Sequence, residues 1–247
     1  MGRVEEYLLT RLAKDGALHL TLVDPEKTLL KDIIRIAAEA EKGGTAAIMV
    51  GGSTLVSSQD LDETVKAIKA SVKIPVILFP NNISGVSRFA DAIWFMSLLN
   101  SSNTYYLIEA QALASALVRT YRLEAIPMGY IIVGEGCAAG YIGHARVISP
   151  EYPEIVAGYA LAGAYLGMRF IYLEAGSGAK ESVPPATISK VKKVIQRPLI
   201  VGGGIRDAST AEKAVRAGAD IIVTGSLVEQ VDQVKERIHE ITERIRR

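Results

Sequence analysis

The chain has 247 residues, of which 49% are hydrophobic, and its charged side chains leave a formal net charge of +1. This small charge gives no whole-protein field that would attract nucleic acid or an anionic membrane. The single cysteine, Cys137, excludes internal disulfides and fits a reducing compartment. No signal peptide is recognisable, and no uncharged apolar stretch is long enough to span a bilayer. We therefore expect a cytoplasmic protein.

Short apolar runs recur along the chain, and most of them lack the polar alternation of a half-exposed strand. Such runs are typical of strands buried on both faces of a parallel sheet. The predicted strands are 17–23, 46–51, 76–80, 92–96, 129–134, 170–174, 199–204 and 221–226. Helical patterns lie between most of them, and no Pro/Gly/Ser-rich linker divides the chain. The alternation predicts an α/β fold with one domain over residues 1–247, a (β/α)8 TIM barrel.

One connection departs from this regular pattern. Only the segment NNISGVSRFAD separates the predicted strands 76–80 and 92–96. A parallel crossover that contains a helix needs a dozen or more residues. We therefore expect the third outer helix of the barrel to be irregular or missing.

The last three predicted strands each run into a turn rich in glycine. These turns are EAGSGA, VGGGIRD and VTGSLV, and they offer bare backbone N–H groups together with two serine hydroxyls. A single glycine turn is usually only a tight turn. Three of them on consecutive late strands, where TIM barrels often hold phosphate, predict a phosphate cradle. The expected donors are Ser177, Gly203, Gly204, Gly225 and Ser226.

Two other readings of this barrel have little support in the sequence. VGGGIRDA carries Asp207 where a dinucleotide-binding turn needs its third glycine, and VGEGCAAG places its last glycine one residue too far along. A Schiff-base aldolase needs a lysine on a strand that faces the barrel interior. No predicted strand contains a lysine.

Acidic and hydroxyl side chains follow the first two predicted strands. Asp24 ends the run LTLVD, and Ser53 and Thr54 follow IMVGG. One carboxylate and one hydroxyl suit a Mg²⁺ ion that keeps waters and shares substrate phosphate oxygens. Alternatively, Asp24 only ends its strand and caps the next helix. The three histidines are scattered along the chain and form no cluster with the spacing of metal ligands.

Glu174 stands between a strand and the first glycine turn, where its charge would repel a phosphate. A small phosphorylated alcohol held by the turns would place its hydroxyl near this carboxylate. Glu174 could then accept the hydroxyl proton as a general base. The alternative is a glutamate that bonds only to neighbouring backbone.

The motifs DPEK, GGST, YLEAGSGA, VGGGIRD and VTGS together resemble those of the geranylgeranylglyceryl phosphate synthases of archaeal lipid synthesis. They are also similar to the bacterial heptaprenylglyceryl phosphate relatives, and the resemblance spans nearly the whole chain. It implies a modified TIM barrel without a regular third helix. It also implies Mg²⁺-dependent alkylation of the 3-hydroxyl of sn-glycerol 1-phosphate by geranylgeranyl diphosphate.

Matched by motif, Asp24 and Ser53 fall on the magnesium positions, with Thr54 as an alternative to Ser53, and Glu174 falls on that of the base. The residues that match the glycerol phosphate site are Tyr172, Leu173, Glu174, Ala175, Gly176, Ser177, Gly178, Gly203, Gly204, Gly225 and Ser226.

A prenyl donor also needs a long apolar groove. The small-residue helix 154–167, with Tyr159 and Tyr165, and the strand 92–96 are candidate walls, although either could simply pack in the core. Trp94 could instead contact another subunit, since the resemblance implies a homo-oligomer, either a dimer or a hexamer. Two alternative functions stay open at this point. One is another phosphosugar-handling barrel, such as an isomerase or a thiamine-phosphate-type synthase, and the other is a non-catalytic phosphate-binding barrel.

Overall fold

The computed structural model of the chain describes residues 1–52, 58–225, 227 and 233–246. Its strands pair in sequence order and in parallel, and β1 pairs with β8 to close a barrel. The strands are β1 Leu18–Val23, β2 Ala47–Val50, β3 Val76–Leu78, β4 Ala92–Leu98, β5 Glu124–Ile132, β6 Phe170–Glu174, β7 Leu199–Gly202 and β8 Ile221–Thr224. The predicted TIM-barrel fold is confirmed.

Helices surround this barrel, and one of them precedes β1. They are α1 Arg3–Asp15, α2 Leu30–Gly43, α3 Ser58–Ser71, α4 Ala110–Thr120, α5 Cys137–Ile142, α6 Pro153–Tyr165, α7 Pro185–Val194, α8 Ala208–Arg216 and α9 Val234–Ile245. A π-helical turn, Tyr105–Glu109, leads directly into α4. None of the helices in the described ranges is both long and apolar enough to cross a membrane.

The connection between β3 and β4 contains a single short 3₁₀ turn, Ile83–Gly85, in place of an outer helix. The side chain of Asn82 caps this turn by accepting a hydrogen bond from the Ser84 N–H at 3.0 Å. The prediction of an irregular or missing third helix is therefore confirmed, and its cause is the shortness of the connection. As a result, the outer face of β4 has no crossover helix from this connection to cover it.

β5 begins at Glu124, five residues earlier than the sequence pattern predicts. This start places Pro127 inside the strand, where proline is usually unfavourable. The pairing register explains why the proline is tolerated. β5 pairs with β4 from Glu124 onward, but its pairing with β6 begins only at Met128. Pro127 thus lies in a part of the strand that has one strand neighbour.

The first turn of α1 is tied to the barrel through the first residue of β5. The Glu124 carboxylate accepts hydrogen bonds from the Val4 N–H at 2.7 Å and the Glu5 N–H at 2.9 Å. The first N–H groups of a helix have no partner within the helix, and the helix dipole favours a negative charge there. Val4 and Leu8 are buried in the cluster of apolar side chains that fills the barrel. α1 therefore covers the end of the barrel where β5 begins.

One glycine in α6 has no structural need to be a glycine. Gly158 lies exposed in the middle of the helix, and a Cβ atom built there would meet no atom of the described residues within 4 Å. Glycine in an exposed helix interior costs about 1 kcal/mol relative to alanine. We expect Gly158→Ala to raise the free energy of unfolding by up to about 1 kcal/mol, measured by urea denaturation. A lower free energy of unfolding in Gly158→Ala would mean that another part of the protein or another subunit packs against this face of α6.

Candidate active site

An open cavity lies at the carboxyl ends of the strands. It brings together side chains and turns that are far apart in the sequence. The predicted site residues that line it are Asp24, Tyr172, Glu174, Ser177, Gly178, Gly203, Gly204 and Gly225. Ser53, Thr54 and Ser226 lie outside the described residues, so their predicted roles stay predictions.

Three other predicted residues belong to the same strand and turn but do not line the cavity. Leu173 is fully buried in the outer layer between strands and helices, since side chains alternate along a strand and Tyr172 and Glu174 occupy the other face. The Ala175 N–H already donates to the Gly202 carbonyl at 3.1 Å. The Gly176 N–H donates to Glu174 at 2.7 Å. The Leu173 side chain therefore supports the site from behind, and the predicted place of Leu173, Ala175 and Gly176 in the acceptor site stays a prediction.

Glu174 is the last residue of β6, and only 6% of its surface is exposed. Its Oε1 atom accepts the hydrogen bond from Gly176, so part of the backbone-bonding alternative holds. The carboxyl group nevertheless borders the cavity. Its pKa is raised, chiefly because burial disfavours the charged form. The Gly176 N–H and the hydroxyls of Tyr172 and Tyr130 favour the charged form and offset part of this effect.

Aromatic rings pack beside this carboxyl group. Phe79 stacks on Tyr172 with ring centroids 5.6 Å apart, and Tyr130 meets Tyr172 edge-on at 5.1 Å. The Tyr172 hydroxyl is buried close enough to Glu174 to affect its pKa, yet it makes no well-aligned hydrogen bond within the described residues. A buried hydroxyl without a partner costs about 1–3 kcal/mol. A ligand hydroxyl in the cavity would remove that cost.

The glycine turns have backbone conformations that other residues rarely adopt. Gly176, Gly178, Gly203 and Gly204 have φ angles of +111°, +80°, +79° and +68°. Such turns direct successive N–H groups into a small concavity that can bind an anion. The fit around Gly203 is also close, because a Cβ atom there would collide with Glu174 Oε1. The turn after β7 therefore packs directly on the carboxylate of β6.

Gly225 differs from these glycines. Its φ angle is not positive, and the nearest atom to a Cβ built there is 3.6 Å away. Among the described residues, there is room for a side chain at this position, on the edge of the cavity. Close approach of a ligand to the backbone is a reason for glycine that fits this arrangement.

Asp24 lies across the cavity, and only 4% of its surface is exposed. Its Oδ1 atom accepts from the Glu26 N–H at 3.1 Å, and its Oδ2 atom is 3.1 Å from the Lys27 ammonium. It does not cap α2, whose N-cap residue, Leu29, has no side-chain hydrogen bond. A side chain at Gly52 would collide with the Asp24 carboxyl group, so the turn after β2 reaches Asp24 as the sequence predicts.

Within the described ranges, no group of three or more His, Cys, Asp or Glu side chains could hold a metal ion. A single carboxylate at a cavity suits an ion that takes its other ligands from water and substrate phosphate, as Mg²⁺ does. The lysine that now pairs with Asp24 has a half-exposed, flexible side chain that can move aside. Asp24 therefore fits the role of a sole protein carboxylate for such an ion.

The cavity also extends to an apolar region beside β4. Ile93, Trp94, Phe95 and Met96 all line it, so it touches both faces of that strand. Val86, Ala110 and Ala114 complete this part, which we term the apolar limb. It lies where the short β3–β4 connection leaves the strand without a crossover helix. The prediction that strand 92–96 forms a wall agrees with this geometry.

The other predicted wall does not take part. No side chain of α6 reaches the cavity in the part of the chain that the structure describes. Val156, Ala157 and Ala160 pack in the core, whereas Tyr165 is 81% exposed, so the core-packing alternative holds for this helix. Trp94 is fully buried inside the barrel, and the expectation that it contacts another subunit is wrong.

Sequence reasoning missed Tyr130 and Phe79, which border the cavity next to Glu174. Strand register could have found Tyr130, because it pairs with Tyr172 across β5 and β6. Phe79 follows the last residue of β3 and so stands at the same end of the barrel.

Comparison with known proteins agrees with this geometry. The model of the PcrB family matches residues 10–245. The chain belongs to the PcrB family. A relative, the geranylgeranylglyceryl phosphate synthase of Thermofilum pendens, is 50% identical over 240 residues, which cover 97% of this chain and 94% of the relative. The family predicted from the motifs is confirmed.

Solved structures agree with this comparison. This PcrB chain is similar to (S)-3-O-geranylgeranylglyceryl phosphate synthase from Thermoplasma acidophilum in complex with sn-glycerol-1-phosphate, with a TM-score of 0.96 and 41% identity, covering 100% and 99% of the two chains. Thiamine phosphate pyrophosphorylase from Pyrococcus furiosus has a TM-score of 0.63 at 13% identity, covering 94% and 97%. The second similarity shows the fold alone.

Proposed function

We propose that the chain, as one domain over residues 1–247, is a magnesium-dependent prenyltransferase. It alkylates the 3-hydroxyl of sn-glycerol 1-phosphate with geranylgeranyl diphosphate, forms the first ether bond of archaeal membrane lipids and releases diphosphate. The observation that carries this proposal is one cavity in which a buried carboxylate, Glu174, lies between glycine turns and an apolar limb. Near full-length similarity to synthases of this activity supports it.

The glycine turns bind the phosphate of the acceptor through backbone N–H groups, with Ser177 as a side-chain donor. This leaves the acceptor's 3-hydroxyl near Glu174, and the Tyr172 hydroxyl provides it with a hydrogen-bond partner. Glu174 takes the hydroxyl proton as the oxygen bonds to C1 of the prenyl group. The bond from C1 to the diphosphate oxygen breaks, and its electron pair leaves with the diphosphate.

Asp24 and Ser53 are the residues that would hold Mg²⁺, and the bound ion would neutralise charge on the departing diphosphate. The ammonium of Lys27 stands beside the same carboxylate and can contact the diphosphate as well. The apolar limb takes the prenyl chain, and the rings of Phe79 and Tyr130 keep water away from the reacting atoms. Holding both substrates in this geometry accounts for much of the rate.

A turnover assay tests the function. Labelled sn-glycerol 1-phosphate is mixed with prenyl diphosphates of increasing length, with Mg²⁺ or with EDTA. We expect a metal-dependent product that partitions into organic solvent, with the highest rate for the twenty-carbon donor. Binding of glycerol phosphate without turnover of any donor would favour the non-catalytic barrel, and conversion of a phosphosugar would favour the isomerase alternative.

The role of Asp24 has its own test. Asp24→Asn removes the charge that attracts a cation, and we expect kcat/KM to fall by about 10²–10³-fold, as for loss of one electrostatic contact to a reacting group. Glu26→Gln, a change two residues away at an exposed side chain, is the matched control and keeps wild-type activity. A Mg²⁺ titration of the rate should show weaker metal activation in Asp24→Asn, and an unchanged titration curve would exclude Asp24 as the ligand.

The raised pKa of Glu174 gives a signed pH dependence. The base must be deprotonated, so kcat/KM rises with pH through this pKa, at a higher pH than for an ordinary glutamate. Tyr172→Phe removes a hydroxyl that favours the charged carboxylate. The acid limb of the pH profile should then move to higher pH, and a move to lower pH would contradict the assignment.

We also propose a cytoplasmic location and a homo-oligomer, either a dimer or a hexamer. Light scattering from the purified chain distinguishes these two states from a monomer.

A further inference from the structure

A chain of buried polar groups runs along the outer face of β1 and reaches the edge of the cavity at Thr224. His19 is 1% exposed. Each of its two ring nitrogens contacts a threonine hydroxyl, one beside β2 and the other in β8. Nδ1 is 3.0 Å from Thr45 Oγ1, before β2, and Nε2 is 2.9 Å from Thr224 Oγ1, at the end of β8. Thr21 Oγ1 lies 3.2 Å from Thr45 Oγ1.

Counting protons selects one arrangement of these hydrogen bonds. If Thr45 donates its only hydroxyl proton to the His19 carbonyl at 3.0 Å, its oxygen accepts from Nδ1–H and from Thr21. Nε2 then accepts from the Thr224 hydroxyl, and every hydroxyl proton in the group has a partner. In the other tautomer Thr45 donates to Nδ1, and the Thr224 proton has no acceptor within this group. The Nδ1–H tautomer is therefore favoured.

The ring is also neutral. Burial lowers the pKa of His19 to about 3, because the charged form would lose its hydration. A neutral imidazole can donate at one nitrogen and accept at the other, which this pair of threonines requires. His19 thus links Thr45 to Thr224 with a fixed sense of hydrogen bonding.

The link ends next to the cavity. Thr224 is the last residue of β8, and both Thr224 and Gly225, which follows it, line the cavity. We infer that His19 is a positioning residue that fixes the Thr224 hydroxyl and thereby the backbone of Gly225 in the third turn of the phosphate cradle. This inference rests on the proposed function, in which that turn receives the phosphate of the acceptor.

Kinetics on the intact chain test the inference. Thr224→Val keeps the shape of the side chain but removes the proton that His19 accepts. We expect the KM for glycerol 1-phosphate to rise about tenfold, the scale of one buried hydrogen bond, with kcat and the KM for the prenyl donor unchanged. Thr224→Ser restores the hydroxyl and should restore the KM. His239→Gln, at an exposed histidine of α9, is the control. An unchanged acceptor KM in Thr224→Val, or an equal rise for both substrates, overturns the inference.

A spectroscopic measurement on the ligand-free wild type adds a result independent of turnover. Two-bond ¹⁵N–¹H correlations at neutral pH should show His19 as the Nδ1–H tautomer. An Nε2–H or charged ring would overturn the inference even if the enzyme is active. Glycerol 1-phosphate binding without turnover of any donor would overturn the proposed function alone, and failure of the wild type to bind glycerol 1-phosphate would overturn both.

Discussion

Glu174→Gln is expected to lower kcat by about 10²–10⁴-fold, the usual contribution of a general base, while the affinity for glycerol 1-phosphate stays nearly unchanged. Glutamine has the same shape, and its carbonyl oxygen can still accept the hydrogen bond from the Gly176 N–H. The phosphate turns therefore keep their geometry. What is lost is the capacity to take the hydroxyl proton.

Single-turnover rates and calorimetric binding of glycerol 1-phosphate separate these two effects. Glu181→Gln is the matched control, because this exposed acid lies in the loop after the first glycine turn and does not border the cavity. Turnover of Glu174→Gln close to that of the control would remove Glu174 as the base. A large loss of acceptor binding in Glu174→Gln would instead assign the carboxyl group a structural role in the turn.

Gly203→Ala is expected to remove most activity through the acceptor site. The added methyl group would meet the Glu174 carboxylate, and the φ angle of +79° disfavours any side chain. The turn must move, and both the phosphate N–H groups and the base move with it. A 1 Å displacement of reacting groups can cost about 10²-fold in rate, and we expect kcat/KM to fall by at least that factor.

Gly158→Ala is the matched control for this change, since it adds the same methyl group at a glycine with open space around it. Its activity should equal that of the wild type. Thermal unfolding of both variants shows whether Gly203→Ala is still folded when the rate is measured. A folded Gly203→Ala variant with normal kcat/KM would contradict the close packing of the two turns.

The fold could be predicted from the sequence because its strands are short, apolar and regularly spaced. The short NNISGVSRFAD segment also fixed the position of the missing helix, since chain length alone excludes a crossover helix there. The boundary of β5 could not be predicted in this way. Pro127 argues against a strand unless the register is known, and the register depends on tertiary pairing between β4, β5 and β6.

The polar part of the site was more predictable than the apolar part. Glycine turns and a strand-ending acid are local signals, and the barrel topology brings them to one end. The apolar limb has no such signal, because β4 and α6 are both apolar in sequence and either could line a cavity or pack in the core. Only the packing shows that β4 lines the cavity while α6 packs in the core. The side chain of Leu173 lies on the outer face of β6, whereas those of Tyr172 and Glu174 face inward, because side chains alternate along a strand.

The extension of the cavity onto β4 means that its two ends share few side chains. The phosphate end depends on backbone turns after β6, β7 and β8, and the apolar limb depends on side chains from β4 and α4. In the proposed function, substitutions in the limb would change which hydrocarbon fits without altering the groups at the glycine turns. Donor length and the chemistry of ether formation would then be set by separate parts of the same cavity.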